Sequence, residues 1–384
     1  MTKLVNIGLV VGEFSGDLIG AKLIKNIKKY LWNVNFVGVA GPLMQLEGMK
    51  TWLNINELML FGITNVIPYL SKIRFIKYDI LNKLINANIS VFIGIDSPEI
   101  NIFLETRLKK RNIYTIHYVS PSIWAWRKKR IKKLKYATNN VLITFPFEEK
   151  FYKYYNVNYK FVGHPIAENL PLYPNKILMR KKLNIDNSSL CLVMLPGSRK
   201  IEIDMISVSF LRCVFILKNI IPNLIIIVPL NNQDRINQFT KIKNNIIPNI
   251  DIRIMNYPAY QIMVASDIAL LTSGTATLEC MIAKCPMVVG YRIPLLDFII
   301  AKILIRIKWI SLPNLLANKY IVDEYIQNDL KPELLASTII KILLDKCYQR
   351  KIKNIFVDLH KKINFNASEQ VTKIVLQAIN NSLY

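Results

Sequence analysis

The segment at residues 265–292, ASDIALLTSGTATLECMIAKCPMVVGYR, constrains the fold more than any other part of the chain. An apolar run at 268–271 leads into a turn of small residues, then a helical pattern that carries Glu279, then a second apolar run at 287–290. A strand, a helix and a second strand in this order are typical of a parallel βαβ unit, so the segment predicts an α/β sheet. The turn then lies at the carboxyl end of the first strand, where ligands bind in such sheets.

This turn has two interpretations. Ser273, Gly274 and Thr275 offer N–H groups and the positive end of a helix dipole, which favour a bound diphosphate. Glu279 follows one helical turn later, within reach of a ribose hydroxyl. A capped and tightly packed helix without a ligand has the same pattern, because short glycine motifs are not specific. Other parts of the chain must decide between the two.

Apolar runs and helical patterns alternate in two series along the chain. The first series has predicted strands at 3–11, 35–39, 90–95, 113–118, 141–145 and 160–162. A polar stretch with several prolines, at 165–187, interrupts the rhythm as an interdomain link. The second series has predicted strands at 190–195, 224–229, 251–255, 268–271 and 287–290. We therefore predict two Rossmann-like α/β domains facing a cleft, at 1–170 and 188–335, and a C-terminal helical segment at 336–384.

Composition limits the classes of function. The chain has 384 residues, an apolar share of 52% and a mean hydropathy of +0.25, which is ample for two buried cores and excludes a disordered protein. Its formal net charge of +25 indicates an anionic partner such as nucleic acid, a membrane surface or a phosphorylated substrate. Ile, Asn and Lys are abundant throughout, so compositional drift contributes part of this charge.

Cysteine spacing and hydropathy give two expected absences. The five cysteines are scattered in apolar runs and lack the spacing of a zinc site, so we expect no metal. We find no long uncharged apolar run that predicts a spanning helix and no cleavage site of a signal peptide. These features favour a cytoplasmic protein, including one that lies on a membrane surface.

Two turns carry candidate reactive groups. Asp96, in GIDSPEI, follows a predicted strand, and a carboxylate that a bound apolar substrate desolvates can act as general base on an alcohol. Capping of the turn before Pro98 is the structural alternative for Asp96, and Glu99 is the alternative base. In LPGSR, Gly197 lets the backbone approach a phosphate that Ser198 and Arg199 can bind. LPGSR and SGTATLE together indicate a nucleoside diphosphate held between two helix N-termini.

Two segments, at 61–76 and 292–310, set apolar residues beside lysines and arginines. This composition suits an interfacial patch that does not span the bilayer, and core helices with snorkelling lysines are the alternative. The candidate membrane residues of the first segment are Val66, Ile67, Tyr69, Leu70, Ile73, Phe75 and Ile76. A third stretch, at 118–130, sets Trp124 and Trp126 beside a basic run. It suits a phosphorylated amphiphile better than nucleic acid, because no RNA-binding fold signature accompanies it.

Long motifs connect these features to one family. GEFSGDLIGA, GIDSPEINI, HYVSPSIWAWRKKRI, FPFEEKFY with FVGHP, LPGSRKIEI, SGTATLECMIAKCPMVVGYR and SLPNLLA, in this order, closely resemble lipid-A-disaccharide synthase. The resemblance extends to about residue 335. It implies a GT-B glycosyltransferase that needs no metal or cofactor and joins UDP-2,3-diacylglucosamine to 2,3-diacylglucosamine 1-phosphate, releasing UDP. It also implies a peripheral enzyme of the cytoplasmic face of the inner membrane, and a homodimer with exchanged C-terminal segments.

The resemblance assigns roles to single residues. Asp96 matches the family's proposed base, Arg199 and Glu279 match its UDP contacts, and Asn314 of SLPNLLA matches a residue important for activity. The first turn, with Ser15, Gly16 and Asp17, is expected on the acceptor side, with helix capping as the alternative for Asp17. Departures from the family pattern are Phe14 in place of a small residue, IDSPEIN in place of IDAPDFN, and Lys200 and Ile201 after LPGSR.

The expected reaction is an inverting displacement. Asp96 removes the proton of the acceptor 6-hydroxyl, which attacks the anomeric carbon opposite UDP, while Arg199 and the two helix N-termini stabilise the departing diphosphate. Two other classes stay open: a GT-B enzyme such as a UDP-sugar epimerase, and a non-enzymatic basic membrane-binding protein. The epimerase has no use for the membrane segments, and the binding protein does not explain the two phosphate-type turns.

Overall fold

The computed structural model describes residues 4–55, 70–121, 129–304 and 307–383. The chain forms two compact units, an N-terminal unit of Met1–Pro165 with Ile363–Tyr384 and a C-terminal unit of Ile166–Lys362. Each unit has its own parallel sheet with helices packed against it and its own hydrophobic core. The predicted α/β class with two Rossmann-like domains is confirmed.

The N-terminal sheet has the strand order β3-β2-β1-β4-β5-β6-β7, all parallel. Its strands are β1 (Val5–Val11), β2 (Val34–Ala40), β3 (Lys50–Asn54), β4 (Val91–Ile95), β5 (Tyr114–Tyr118), β6 (Asn140–Ile143) and β7 (Tyr159–Phe161). Its described helices are Phe14–Ile27, Pro42–Leu46, Leu70–Asn86, Pro98–Lys109, Lys129–Ala137, Glu149–Tyr154 and Ala367–Leu383. The central strands β1 and β4 are almost continuously apolar because helices cover both faces of the sheet. The chain reverses its direction of winding between these two strands, which makes their carboxyl ends the topological switch point.

The C-terminal sheet has the strand order β10-β9-β8-β11-β12-β13, again parallel. Its strands are β8 (Cys191–Leu195), β9 (Ile225–Pro229), β10 (Arg253–Met255), β11 (Ile268–Thr272), β12 (Met287–Tyr291) and β13 (Asp323–Ile326). Its described helices are Lys176–Lys182, Lys200–Ile220, Gln233–Ile246, Ala259–Ala265, Thr275–Ile282, Leu295–Leu304, Leu312–Ala317, Pro332–Leu344 and Lys346–Ile363. The switch point lies between β8 and β11, the strands that precede the two phosphate-type turns.

The stretch predicted as an interdomain link, 165–187, is an ordered part of the C-terminal unit from Ile166 onward. Its helix Lys176–Lys182 carries Arg180, whose buried guanidinium donates to the carbonyl of Ala265 at 2.8 Å and to the carboxylate of Asp267 at 2.7 Å. The same side chain donates to the carbonyls of Asp186, Asn187 and Ser189. A buried arginine with this many partners fixes the stretch against the sheet, which a count of prolines and polar residues does not reveal.

The tail, predicted as one helical segment at 336–384, is divided between the two units after Lys362. Helix Pro332–Leu344 contributes buried leucines and isoleucines to the C-terminal core. Helix Ala367–Leu383 instead buries Val371, Val375 and Ile379 in the N-terminal core beside helix Phe14–Ile27. The amphipathic pattern at 368–383 reveals a buried face, but it does not reveal which core that face meets.

Candidate functional site

The carboxyl ends of β1 and β4 bring the first turn and the Asp96 turn together. The two strands are neighbours, and Val11 pairs with Ile95 in their register. The turns then approach so closely that a Cβ added at Gly12 would collide with the side chain of Ser97. Glycine at position 12 is therefore required by the contact between these two turns.

Asp96 lies in a strained backbone at the end of β4. It has φ 53° and the next residue, Ser97, has φ 45°, both in the left-handed region that non-glycine residues rarely adopt. The Asp96 amide donates to the Tyr118 carbonyl at 2.8 Å, and the Asn101 side chain donates to the Asp96 carbonyl at 2.7 Å. These bonds stabilise a geometry that costs roughly 1–2 kcal/mol. Strain of this kind is concentrated at functional sites.

The electrostatics of this edge of the sheet favour Asp96 over Glu99 as a base. Burial raises the pKa of Asp96, while the charges of His117 and Arg130 act in the opposite sense. Glu99 is exposed and forms an ion pair with Arg130. A carboxylate whose pKa is raised by burial is a stronger base than an exposed ion-paired carboxylate.

The three residues expected on the acceptor side occupy different environments. Ser15 is exposed and Gly16 is buried in the first turn of helix Phe14–Ile27. Asp17 is buried, and its carboxylate accepts backbone N–H groups from Gly41, Leu43 and Met44 at 2.9–3.0 Å. Asp17 therefore caps the helix Pro42–Leu46 rather than its own helix, with three hydrogen bonds inside the fold.

In the C-terminal unit, β8 and β11 place the two phosphate-type turns at one edge of the sheet, since Leu195 pairs with Leu271. Helix Thr275–Ile282 starts after Gly274, which is exposed and has φ 152°. No side chain of the described residues caps this N-terminus, and a Cβ added at Gly274 would meet nothing within 4 Å. This helix N-terminus is open to an anion.

The helix N-terminus after the LPGSR turn was also expected to be open to a phosphate, but a side chain of the protein occupies it. The backbone N–H groups of Ser198 and Arg199 donate to the Glu202 carboxylate at 3.0 and 3.2 Å, in a capping box of helix Lys200–Ile220. Gly197 has φ 126°, and a Cβ there would lie 2.4 Å from the Cβ of Glu202 and 2.7 Å from its Oε2. What this turn offers a ligand is the exposed guanidinium of Arg199. The spacing of Arg199 and Glu202 is a signal for this cap that the motif analysis passed over.

Glu279, the predicted ribose contact, lies on the helix with the open N-terminus. The side chain is partly buried, and this burial raises its pKa to about 7. Near neutral pH the carboxyl is therefore present in both protonation states. The protonated form can donate a hydrogen bond and the ionised form can accept one from a ribose hydroxyl.

Asn314 holds the segment on which the Ser273 turn rests. Its buried amide makes four hydrogen bonds of 2.8–2.9 Å, to the backbone of Ile321 and Val322 and to the carboxylate of Glu324. Glu324 accepts the N–H of Ile310 at 2.9 Å, and the Ile310 carbonyl accepts the hydroxyl of Ser273 at 2.8 Å. Asn314 thus reaches the phosphate-type turn through Glu324, a residue that sequence reasoning did not single out.

The membrane prediction at 61–76 lies partly outside the described residues. The residues outside that description are Val66, Ile67 and Tyr69. Trp124 and Trp126 of the third stretch also lie outside the described residues. Leu70 begins helix Leu70–Asn86, in which Ile73 and Ile76 are partly buried and Phe75 is 73% exposed. The second segment exposes Leu295, Leu296 and Ile299 on helix Leu295–Leu304. Apolar side chains therefore face solvent in both segments.

Two parallel sheets, each with a ligand-type turn at its switch point, define a class of enzyme. The fold is that of the GT-B glycosyltransferases. The solved structure of UDP-GlcNAc 2-epimerase from Neisseria meningitidis bound to UDP-GlcNAc matches 98% of this chain over 100% of its own, with a TM-score of 0.68 at 12% identity. CalG4, the calicheamicin glycosyltransferase, matches 99% of both chains with a TM-score of 0.59 at 10% identity.

Sequence comparison gives the particular family. A family model described as lipid-A-disaccharide synthetase matches residues 7–375. The lipid-A-disaccharide synthase of Blochmanniella pennsylvanica is 49% identical over 98% of this chain and 97% of its own, and that of Pectobacterium carotovorum is 45% identical over 98% and 99%. The chain belongs to the lipid-A-disaccharide synthase family and is a glycosyltransferase of lipid A biosynthesis. An epimerase and a non-enzymatic binding protein are thereby set aside.

Proposed function

We propose that this enzyme joins UDP-2,3-diacylglucosamine to 2,3-diacylglucosamine 1-phosphate, with Asp96 as the base and the C-terminal unit as the UDP site. The observation that carries the proposal is the partly desolvated Asp96 carboxyl at the switch point of the N-terminal sheet. The names of the relatives support a lipid-sugar product, and the epimerase neighbour that holds UDP-GlcNAc supports a nucleotide-sugar donor.

The reaction is a single displacement. The Asp96 carboxylate takes the proton of the acceptor 6-hydroxyl, and the oxygen forms a bond to the anomeric carbon of the donor. The bond between that carbon and the diphosphate breaks on the opposite side, so the configuration inverts and UDP leaves with the electron pair. Arg199 and the open N-terminus at Gly274 and Thr275 bind the growing negative charge, the part that a divalent ion plays in other transferases.

Replacing Asp96 tests its role directly. In Asp96→Asn the amide cannot accept the hydroxyl proton, so turnover falls by about 10²–10⁴-fold. UDP binding, measured by calorimetry, stays within twofold, because the nucleotide contacts lie in the C-terminal unit. Glu99→Gln is the matched control and keeps its turnover. Normal turnover of Asp96→Asn contradicts the assignment of the base, and loss of its UDP binding indicates a structural role instead.

We further propose that the enzyme works on the cytoplasmic face of the inner membrane. Both substrates carry acyl chains, the net charge is +25, and exposed apolar side chains lie at Phe75, next to Arg74, and at Leu296. No helix in the ranges that the structure describes has the length and apolarity to cross a bilayer. These features suit binding at the surface of anionic lipid.

Vesicle binding tests this location. Phe75→Ser combined with Leu296→Ser lowers partitioning onto vesicles of phosphatidylglycerol and phosphatidylcholine several-fold, because each change removes an apolar contact with the interface. Leu46→Ser is the control, since Leu46 is 83% exposed but lies outside both segments. Equal partitioning of the double variant and the control contradicts the membrane assignment.

The enzyme is also proposed to be a homodimer with exchanged C-terminal segments. The resemblance to the family supports this assembly, and helix Ala367–Leu383 is the segment available for exchange. Sedimentation equilibrium then gives twice the chain mass of 44.4 kDa at micromolar concentration. A mass of 44.4 kDa over the whole concentration range contradicts it.

A further inference from the structure

A buried pair of ionisable side chains lies beside the strand that ends in Asp96. Glu105 Oε1 and His117 Nδ1 are 2.7 Å apart, and both side chains are fully buried. His117 is on β5 and pairs with Gly94 of β4, two residues before Asp96. Gly94 leaves the space for this pair, because a Cβ there would lie 2.5 Å from Glu105 Oε1. The glycine of GIDSPEI therefore serves the pair as well as the strand.

The pair is incompletely satisfied. Within the described residues Glu105 Oε2, His117 Nε2 and the neighbouring Asn101 Oδ1 have no hydrogen-bond partner. An ion pair buried with a single hydrogen bond usually contributes less stability than apolar residues of the same size, because its desolvation is not fully compensated. A purely structural explanation of Glu105 and His117 is therefore poor, and their surroundings indicate what they serve.

Charges around the pair connect it to Asp96. Burial alone lowers the pKa of His117, but the charge of Glu105, the hydrogen bond to Glu105 and the charge of Asp96 together raise it above its ordinary value. In turn, burial raises the pKa of Asp96, and the charge of His117 opposes this rise. Burial also raises the pKa of Glu105, and the charge of His117 and its hydrogen bond oppose this rise. His117 is thus coupled by charge to two carboxyl groups, Glu105 on one side and Asp96 on the other.

The other ionisable groups near Asp96 and His117 do not add a charge between them. From helix Lys129–Ala137, Arg130 adds a second cation near Asp96 while it pairs with Glu99. From helix Glu149–Tyr154, the buried hydroxyl of Tyr152 bonds to Ser120 at 2.7 Å. Burial together with the charges of Glu148 and Glu105 keeps the pKa of Tyr152 far above neutrality, so the phenol stays uncharged.

We propose that Glu105 and His117 are positioning residues for Asp96: Glu105 keeps the imidazole of His117 protonated, and the imidazolium keeps the Asp96 carboxylate ionised and ready to accept a proton. This inference rests on the proposed role of Asp96 as the base. Without the imidazolium, desolvation favours the protonated acid, which cannot accept a proton from the acceptor hydroxyl.

The protonation state of His117 gives a test that needs no activity. The chain has three histidines, and burial lowers the pKa of the other two, to about 3 for His164. In protein labelled with ¹⁵N-histidine, His117 therefore gives the single imidazolium spectrum at pH 7, and the resonance is assigned by its loss in His117→Gln. In Glu105→Gln it changes to the neutral pattern. A neutral His117 in the wild-type enzyme overturns the proposal.

The pH profile of turnover gives the functional test. In Glu105→Gln the acid limb of kcat/KM moves up by about one pH unit, which is about a tenfold loss at pH values below the limb that is recovered at pH values above it. KM for the UDP donor stays within twofold. Glu333→Gln, at an exposed position of the C-terminal unit, is the control and keeps the wild-type profile. A structural role lowers activity equally at every pH, and this result contradicts the proposal.

Asp96→Asn separates the two levels of the account. An inactive Asp96→Asn together with an unmoved acid limb in Glu105→Gln overturns the role of the pair and leaves Asp96 as the base. A fully active Asp96→Asn overturns the proposed base itself. The spectrum of wild-type His117 still decides the charge state if Glu105→Gln does not fold.

Discussion

Two buried polar residues of this enzyme, Asp17 and Asn314, hold backbone segments in place. Asp17 uses its carboxylate to hold three backbone N–H groups, and Asn314 uses its amide to hold a loop and Glu324. Both residues lie in motifs that resemble those of the family, and both side chains are hydrogen-bonded inside the fold. A residue in such a motif can therefore serve the fold itself.

Replacing Asn314 tests this support. In Asn314→Ala the partly buried Glu324 carboxylate and two backbone N–H groups lose a partner, so the free energy of unfolding falls by about 1–3 kcal/mol in urea titrations. UDP binding also weakens, because the Ser273 turn loses support through Ile310. The exposed Asn380→Ala is the control, with little change in either. Unchanged stability of Asn314→Ala contradicts the network.

Glu279 makes UDP binding depend on pH. The ionised carboxylate accepts a stronger hydrogen bond from a ribose hydroxyl than the protonated carboxyl does, so the UDP dissociation constant falls as pH rises through about 7. Because the pKa is raised in the folded state, the stability contributed by Glu279 is present at low pH and is lost over the same rise. Calorimetry from pH 5.5 to 8.5 checks the binding. A pH dependence that persists in Glu279→Gln assigns it to another group.

At the scale of single elements, the two phosphate-type turns differ in what their helices offer. Helix Lys200–Ile220 is capped by its own Glu202, which accepts the N–H groups of Ser198 and Arg199. Helix Thr275–Ile282 follows an exposed glycine and has no side-chain cap among the described residues. The helix dipole therefore reaches a ligand most directly at Gly274, and Arg199 contributes as a side chain.

A methyl group at Gly274 tests the open helix N-terminus. Gly274→Ala lowers UDP affinity about tenfold or more, because the new Cβ meets nothing in the protein and obstructs only the ligand, while the positive φ adds backbone strain. Gly48→Ala is matched for strain, with φ 84°, but lies in the N-terminal unit and keeps its UDP affinity. Equal affinities of the two variants contradict a phosphate site at Gly274.

The sequence predicted the elements with strong local patterns. The buried strands β1, β4, β8 and β11 are continuous apolar runs, and their turns contain the small residues on which the site prediction depended. The edge strands β3 and β13 were missed because they are short and only partly buried, so no apolar run marks them. Glu202, Glu324 and Glu105, the partner of His117, were missed for another reason: their roles depend on partners that only the folded chain brings together.

At the scale of the whole molecule, the chain leaves the N-terminal unit after Pro165 and returns to it at Ile363. The last helix completes the core that the first strand begins. Tyr30 donates to Glu369 at 2.8 Å, and Phe161 packs edge-on against Phe365 at a centroid distance of 5.0 Å. The stability of the N-terminal unit therefore depends on residues far away in sequence.

A charge in the last helix tests this dependence. Val375→Asp places a carboxylate in the apolar N-terminal core, so hydrogen exchange accelerates in β1 and helix Phe14–Ile27 but not in helix Lys200–Ile220 of the C-terminal unit. Asn380→Asp, at an exposed position of the same helix, leaves both units unchanged. Faster exchange in the C-terminal unit alone contradicts the division of the tail.

Product analysis with both acylated glucosamine substrates tests the central claim most directly. If the enzyme displaces UDP by inversion with Asp96 as base, the wild type releases one UDP per disaccharide formed, the new linkage from an α-linked UDP donor is β by NMR, and Asp96→Asn forms neither product at a comparable rate. Release of UDP without disaccharide, an α linkage, or full turnover by Asp96→Asn contradicts the account.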